Sequence, residues 1–315
     1  VGIDVGGTDL KAVAVAGGRV VAERRSAVDP EPPVLEQVAA LGASLAAEVG
    51  AGAVGVGVAG LVRWPLGEFV WGPHVAGVGI PYRAELERRW RLPVAVDNDA
   101  NAAAHAELVA GAAQGFRHAV VLTLGTGIGA GLVVDGRVYR GRSFAGEVGH
   151  VTVLPDGPAC ACGRRGCWET LVSGSRLDRE AVRLAAESTR GEVARAAGGG
   201  RATARHLVEA AGRGDPAASA VLAEAGRWLG LGIASLVAVL DPEVVVIGGG
   251  AAAAGDLLFS PARAAIASHV EGGAVRDQLD IVPARFGALA GAVGAALLAR
   301  DRASGGGPID DKGNP

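Results

Sequence analysis

The sharpest chemistry in this sequence is a cluster of soft metal ligands. Its three cysteines, Cys160, Cys162 and Cys167, fall within eight positions, and His150 shortly precedes them. The spacing His-x9-Cys-x-Cys-x4-Cys supplies three thiolates and one imidazole, the donor set that structural zinc takes in tetrahedral sites. Gly157, Gly163 and Gly166 let the backbone wrap closely round an ion. A disulfide with one spare thiol is the first alternative, and an odd cysteine count argues against it. A redox Cys-x-Cys pair is the second. Glu147 stands three residues before His150, so a metal ligand here could also orient a neighbouring binding group.

Two glycine turns could hold phosphate. Asp4-Val5-Gly6-Gly7-Thr8-Asp9-Leu10-Lys11 follows an apolar strand directly. Its glycines and Thr8 allow backbone N–H groups and a hydroxyl to approach phosphate oxygens. Asp4 suits Mg²⁺, and Lys11 can balance phosphate charge. The spacing is neither that of a Walker loop nor that of a dinucleotide fingerprint. Taken alone, the turn reads equally as an ordinary hairpin glycine pair. Leu124-Gly125-Thr126-Gly127-Ile128-Gly129 repeats the strand–Gly–Thr arrangement, which suits a nucleotide clamped between two halves. Gly248-Gly249-Gly250 closes a third strand and could admit adenine or ribose against bare backbone, or be a plain strand-to-helix turn.

Asp97-Asn98-Asp99-Ala100-Asn101 lies where a strand passes into a helix. One polar residue there caps the helix, but a cap does not require four. A carboxylate in this place could take the proton of a hydroxyl that attacks a γ-phosphate, with Asn98 holding neighbouring hydroxyls. Glu147, His150 and Glu169 bracket the cysteine cluster and suit vicinal hydroxyls, although glutamates are most often plain surface residues. Trp168 reads as packing. His105, His118, His206 and His269 have no partner pattern.

The elements that must position these groups are legible in outline. Apolar runs predict strands at Val1–Val5, Ala12–Val15, Arg19–Glu23, Ala53–Val58 and Pro93–Val96. Further strands are expected at Ala119–Leu124, Ile128–Val134, Arg137–Tyr139 and Glu243–Ile247. Gly17-Gly18 and Asp135-Gly136 supply hairpin turns. Helical periodicity predicts Pro32–Val49, Pro81–Trp90, Ala100–Ala110, Ala217–Leu240 and Ala288–Ala299. The strand, hairpin and glycine-turn pattern starts twice, so the fold is α/β with two domains facing a cleft, the usual place for a small-molecule site.

Composition narrows the partners. A net charge of -3 with 20% charged residues gives no field for nucleic acid or a membrane surface. The run from Trp228 to Leu240 is too short to span a bilayer, and the chain opens on a strand without a basic start, so a soluble, cytoplasmic protein is expected. The segment 303–315 is rich in Gly, Asp and Pro and is expected to be a disordered tail.

Taken together and in order, these motifs resemble the ROK family of bacterial sugar kinases and sugar-responsive repressors. The carrying residues are Asp4-x-Gly6-Gly7-Thr8-x-x-Lys11, Asp97-Asn98-Asp99-Ala100-Asn101, Leu124-Gly125-Thr126-Gly127-x-Gly129 and Glu147-x-x-His150. To these is added Cys160-x-Cys162-Gly163-x-x-Gly166-Cys167-x-Glu169. The resemblance runs from Val1 to about Arg300 and is strongest to actinobacterial-type glucokinases. It implies an actin-like, RNase H-like two-domain fold, with residues 1–112 and a returning helix at 288–302 in one domain and 113–287 in the other. It also implies phosphotransfer from ATP with Mg²⁺, usually to the 6-hydroxyl of a hexose, glucose first. Other hexoses, an N-acyl hexosamine, or a non-catalytic sugar-sensing regulator are the alternatives. By matched positions Asp99 is the general base, and Asn98, Asp99, Glu147, His150 and Glu169 bind sugar. His150, Cys160, Cys162 and Cys167 hold zinc, and homodimers or homotetramers are usual. Two residues depart from the pattern: Pro73-His74 stands where a Pro-Asn pair is common near the sugar, and Asp9 adds a carboxylate beside the phosphate turn.

Overall fold

The structure is a computed structural model that describes residues 1–273, 275–277 and 279–305. The tail expected at 303–315 lies, from residue 306 on, outside the described residues. By internal contacts the chain divides into two compact units. Unit 1 comprises Val1–Val121, Ala130–Gly146 and the described residues from Ala284 on, and unit 2 comprises Leu122–Gly129 and Glu147–Pro283.

The chain begins with β1 (Gly2–Val5), β2 (Asp9–Ala16) and β3 (Arg19–Ala27), a three-strand antiparallel meander. Helix α1 (Val34–Val49) leads to β4 (Val54–Val58), which pairs parallel with β1. A small hairpin of β5 (Leu61–Arg63) and β6 (Glu68–Trp71) follows, then α2 (Tyr82–Trp90) and β7 (Val94–Asn98), parallel to β4. The first sheet therefore has the order β3-β2-β1-β4-β7. Helix α3 (Asp99–Ala110) starts on the residue after β7.

Strands β8 (Ala119–Leu124), β9 (Ile128–Val134) and β10 (Arg137–Tyr139) begin the second sheet, with β9 and β10 antiparallel across the expected Asp135-Gly136 turn. The next elements are α4 (Glu169–Val172), α5 (Gly174–Glu187), α6 (Glu192–Ala197), α7 (Ala204–Gly212) and α8 (Pro216–Leu240). The chain continues through β11 (Val244–Gly248), α9 (Asp256–His269), β12 (Asp280–Pro283) and α10 (Ala290–Ala303). The second sheet reads β10-β9-β8-β11-β12. In each sheet a meander in sequence order is extended from its first strand by two later strands, and that repeated topology makes the fold the actin-like α/β fold expected.

Alternating apolar residues on β1, β2 and β4 bury Ile3, Val5, Leu10, Val56 and Val58 against Val38 and Leu45 of α1. Each such side chain contributes roughly 1.5–3 kcal/mol when fully buried. The opposite face takes α10, which packs on α3, β1 and β4. That approach needs bare backbone: a Cβ on Gly2 or Gly55 would collide with the α10 backbone, and one on Gly294 with Ala102 of α3. In unit 2, α8 is 25 residues long and matches the helix expected at Ala217–Leu240 to within a residue. By length and composition it could cross a membrane, but 56% of its most apolar stretch is buried inside the protein, the condition of a core helix.

Candidate active site and metal centre

In unit 1 the base candidate is placed by β4, β7 and α3. Gly57 of β4 pairs with Asp97 of β7, and a Cβ on Gly57 would come within 3.3 Å of the Asp99 Cα. A glycine at that position thus lets the start of α3 sit down on the sheet. Asn98 is the N-cap: its Oδ1 accepts from the N–H groups of Ala100 at 2.9 Å and Asn101 at 3.0 Å. Its amide nitrogen donates to the Gly60 carbonyl and to Asp99 Oδ1, both at 3.0 Å. Both ends of the Asn98 amide are therefore engaged, and one of its hydrogens fixes the Asp99 carboxylate.

Asp97, the third polar residue of this motif, is wholly buried. Its Oδ2 accepts from Arg140 Nε at 2.8 Å and Nη2 at 2.7 Å. Its Oδ1 accepts the Asn98 backbone N–H at 2.8 Å and the Asn101 amide at 3.3 Å. Arg140 is held in turn by the Val138 carbonyl at 3.0 Å and by the Trp64 ring, 4.1 Å below its guanidinium carbon. Asp97 is thus an anchor under the base turn rather than a ligand. No sequence signal marks Arg140, which stands just past β10, 43 residues from its partner.

The first glycine turn leaves Gly7 and Thr8 exposed. Asp4 and Lys11 face each other across β1 and β2, with Nζ 3.3 Å from Asp4 Oδ2. Burial raises the Asp4 carboxyl above its ordinary range, opposed by Lys11. Asp9 lies 3.7 Å from the same ammonium, so its extra charge is shared with Lys11 rather than left bare beside the turn. The structure places His74 against this turn: a Cβ on Gly7 would stand 2.7 Å from the His74 Cβ. A close neighbour missed by sequence is Gly291 of α10, where a Cβ would press on the Asp4 carboxylate at 2.9 Å.

In unit 2 the second turn, the third turn and the cysteine cluster come together. Gly249, at φ 84°, packs on Leu124, where a Cβ would meet the carbonyl oxygen at 2.5 Å. The Gly125 carbonyl accepts the Gly174 N–H at 2.8 Å, fixing the start of α5 to the same turn. Gly250 has open space around it. Glu169 links the turn to the metal cluster. Its Oε2 accepts the Ile128 N–H at 3.4 Å and occupies the place a Gly127 Cβ would need, while the Cys160 thiol donates to its Oε1 at 3.0 Å. His150 Nδ1 lies 3.6 Å from Cys160 Sγ and 3.8 Å from Glu169 Oε1, and its Nε2 lies 4.0 Å from Glu147. Trp168, beside Glu169, is buried packing as expected; its indole donates to the Trp228 carbonyl at 2.9 Å and lies on Gly232 of α8.

One ligand atom from each of His150, Cys160, Cys162 and Cys167 lies within 4.8 Å of all the others. Cys162 and Cys167 are 3.6 Å apart, too far for a disulfide. The distance is close to the edge of about 3.8 Å that a tetrahedron with Zn–S bonds of about 2.3 Å requires. Burial pushes the Cys160 thiol up, with the bond to Glu169 adding to it, and burial likewise raises Cys167. For Cys162 burial also acts upward, but bonds from Arg164 and the two neighbouring thiols outweigh it and bring the group to about 6. A divalent cation bound here would ionise all three thiols. The residues fit a structural zinc ion, which would clamp His150 and the 160–167 loop and so fix Glu169.

The family model described as ROK family matches residues 1–302. The chain belongs to the ROK family. It is 37% identical over 310 residues to a glucokinase of Streptomyces coelicolor, covering 96% of this chain and 97% of that one. Among solved ROK structures, a glucokinase from Streptomyces griseus in complex with glucose and AMPPNP superposes with a TM-score of 0.85 at 36% identity. The match covers 95% of this chain and 98% of that chain. A ROK family transcriptional regulator, a homologue of the E. coli MLC protein, superposes with a TM-score of 0.82 at 29% identity, over 96% of this chain but 78% of that one.

Proposed function

We propose that this ROK protein is an ATP-dependent glucokinase that transfers the γ-phosphoryl group of ATP, with Mg²⁺, to the 6-hydroxyl of glucose. The likeness to a glucokinase bound to glucose and AMPPNP, end to end at 36% identity, carries the reading. Phosphoryl transfer asks a protein mainly for positioning and electrostatics. Asp99 is the general base, held by the Asn98 amide and set against Gly57. Glu147, His150 and Glu169, two of them tied to the zinc cluster, bind sugar hydroxyls together with Asn98 and Asp99. Gly6, Gly7, Thr8 and Lys11, with Gly125, Thr126, Gly127 and Gly248 to Gly250, take the nucleotide, and Asp4 serves Mg²⁺. Because Asn98 spends both amide hydrogens on Gly60 and Asp99, its first task is to aim the base.

We read the chain as two domains, 1–112 with 288–302 and 113–287, in a cytoplasmic homodimer or homotetramer. His74 beside Gly7 gives the departure from the common Pro-Asn pair a bearing on phosphate as well as on the choice of sugar. A sugar-sensing regulator without turnover is the second reading, supported by the fold shared with the MLC homologue.

The test is ADP release with ATP and Mg²⁺ across glucose, mannose, fructose, N-acetylglucosamine and N-acetylmannosamine, run beside Asp99→Asn. Glucose turnover is expected, falling by about 10²- to 10⁴-fold in the variant while sugar affinity stays within about threefold. Sugar binding without turnover on any of the five would replace the kinase by the regulator.

A further inference from the structure

Away from the residues assigned above, unit 1 contains a cavity of about 490 Å³. Its walls are in large part apolar, with Trp64, Leu108, Val138 and Leu298 among them, and the guanidinium groups of Arg83, Arg137 and Arg140 also line it. The other charged groups on its walls are His105, Asp301 and Arg302. These are paired: His105 Nε2 with Asp301 at 3.0 Å, and Arg302 with Glu87 at 3.2 Å. Arg140 is committed to Asp97. Arg83 and Arg137 remain. Among the described residues neither has an ion-pair partner; Arg137 is exposed, whereas Arg83 is half-buried and its buried Nε has no hydrogen-bond acceptor there. A buried cationic N–H without an acceptor is costly, and such a group is rare unless something else satisfies it.

The geometry points to a second ligand site here, for a small phosphate monoester carried on an apolar frame. Two uncompensated guanidinium charges match a phosphate dianion, and a carboxylate would answer only one of them. The planar forks of arginine suit phosphate oxygens, and the Trp64, Leu108 and Val138 side chains suit a flat or apolar body. The site is placed to affect catalysis, a step that rests on the kinase reading. Arg140 lines the cavity and carries Asp97, and Asp97 holds the backbone N–H of Asn98, which aims Asp99. A dianion beside Arg140 draws on the positive field that holds Asp97 and loosens the turn under the base. The bound phosphate monoester is therefore inhibitory, acting on kcat through the base turn.

Phenyl phosphate is the probe, titrated by calorimetry into the intact zinc-loaded protein with glucose and AMPPNP present to fill the catalytic site. Binding is expected in the wild type and to be weakened about tenfold or more in the Arg83→Ala, Arg137→Ala double variant. Benzoate, with the same ring and one charge fewer, is expected to bind more weakly than phenyl phosphate. In glucose turnover, phenyl phosphate is expected to reduce kcat about fivefold in the wild type and not in the double variant. No binding, or equal binding by wild type and double variant, would overturn the site, and benzoate binding as tightly would overturn its assignment to a dianion. Loss of turnover in every sample with the calorimetric difference intact would sink the kinase reading and leave the site standing.

Discussion

The most informative single residue that the motifs passed over is Arg140. It is 14% exposed, and its partner Asp97 is 1% exposed, so the pair sits where water can do little for a bare carboxylate. Removing one member of such a pair leaves the other charge buried, typically a loss of about 3–5 kcal/mol, whereas neutralising Asp97 leaves its charge partner Arg140 in contact with solvent and the Trp64 ring. Arg140→Ala is expected to lower the unfolding free energy by about that amount in urea titrations. Asp97→Asn should cost clearly less, because an amide oxygen can still accept the Asn98 N–H. Equal losses in the two variants would show that the buried carboxylate is not what Arg140 serves. The histidines without a sequence pattern also found local roles: His105 pairs with Asp301, and His206 closes a capping box with Thr203 at the start of α7.

At the scale of elements, the decisive contacts in unit 1 are helix on helix and helix on sheet at backbone distance. Helix α10 meets α3, β1 and β4 through Gly294, Gly2 and Gly55, and α3 carries Asp99. Filling Gly294 forces α10 away from Ala102. Overpacking of this kind costs about 1–3 kcal/mol, and because the atom met is backbone, not a yielding side-chain tip, the upper end is expected. Gly294→Ala should therefore both lower the denaturation midpoint and reduce kcat, since the same shift displaces the helix that bears Asp99, the proposed base. A stable variant with full turnover would refute this coupling. The pattern of apolar residues announced most strands and several helices here. It did not announce β5, β6, α4, α5, α6, α7, α9 or β12, whose segments are short, alanine-rich or charged and give no clean period.

For the molecule as a whole, the metal cluster is the prediction with the widest reach. Zinc held by four side chains of unit 2 would add its binding energy to folding, and it would fix Cys167, two residues before Glu169 in the chain. Chelation, or Cys162→Ser, is expected to lower the melting temperature by about 5 °C or more and to reduce turnover with it, with metal content measured on the same samples. A metal-free protein with unchanged melting and activity would refute a structural ion. What the sequence determined by itself was the chemistry: ligand types at ligand spacing, glycine turns after strands, and a carboxylate at a strand-to-helix junction. Those signals are local, because a turn or a chelating loop is made by residues near one another in the chain. Tertiary structure alone decided that Asn98 is the cap and Asp97 the anchor beside Asp99. It also decided that Glu169 accepts an N–H beside the second glycine turn, and that Arg83 and Arg137 line one cavity without an ion-pair partner among the described residues. These depend on contacts between residues far apart in sequence, where burial and charge act through space and leave no spacing to read.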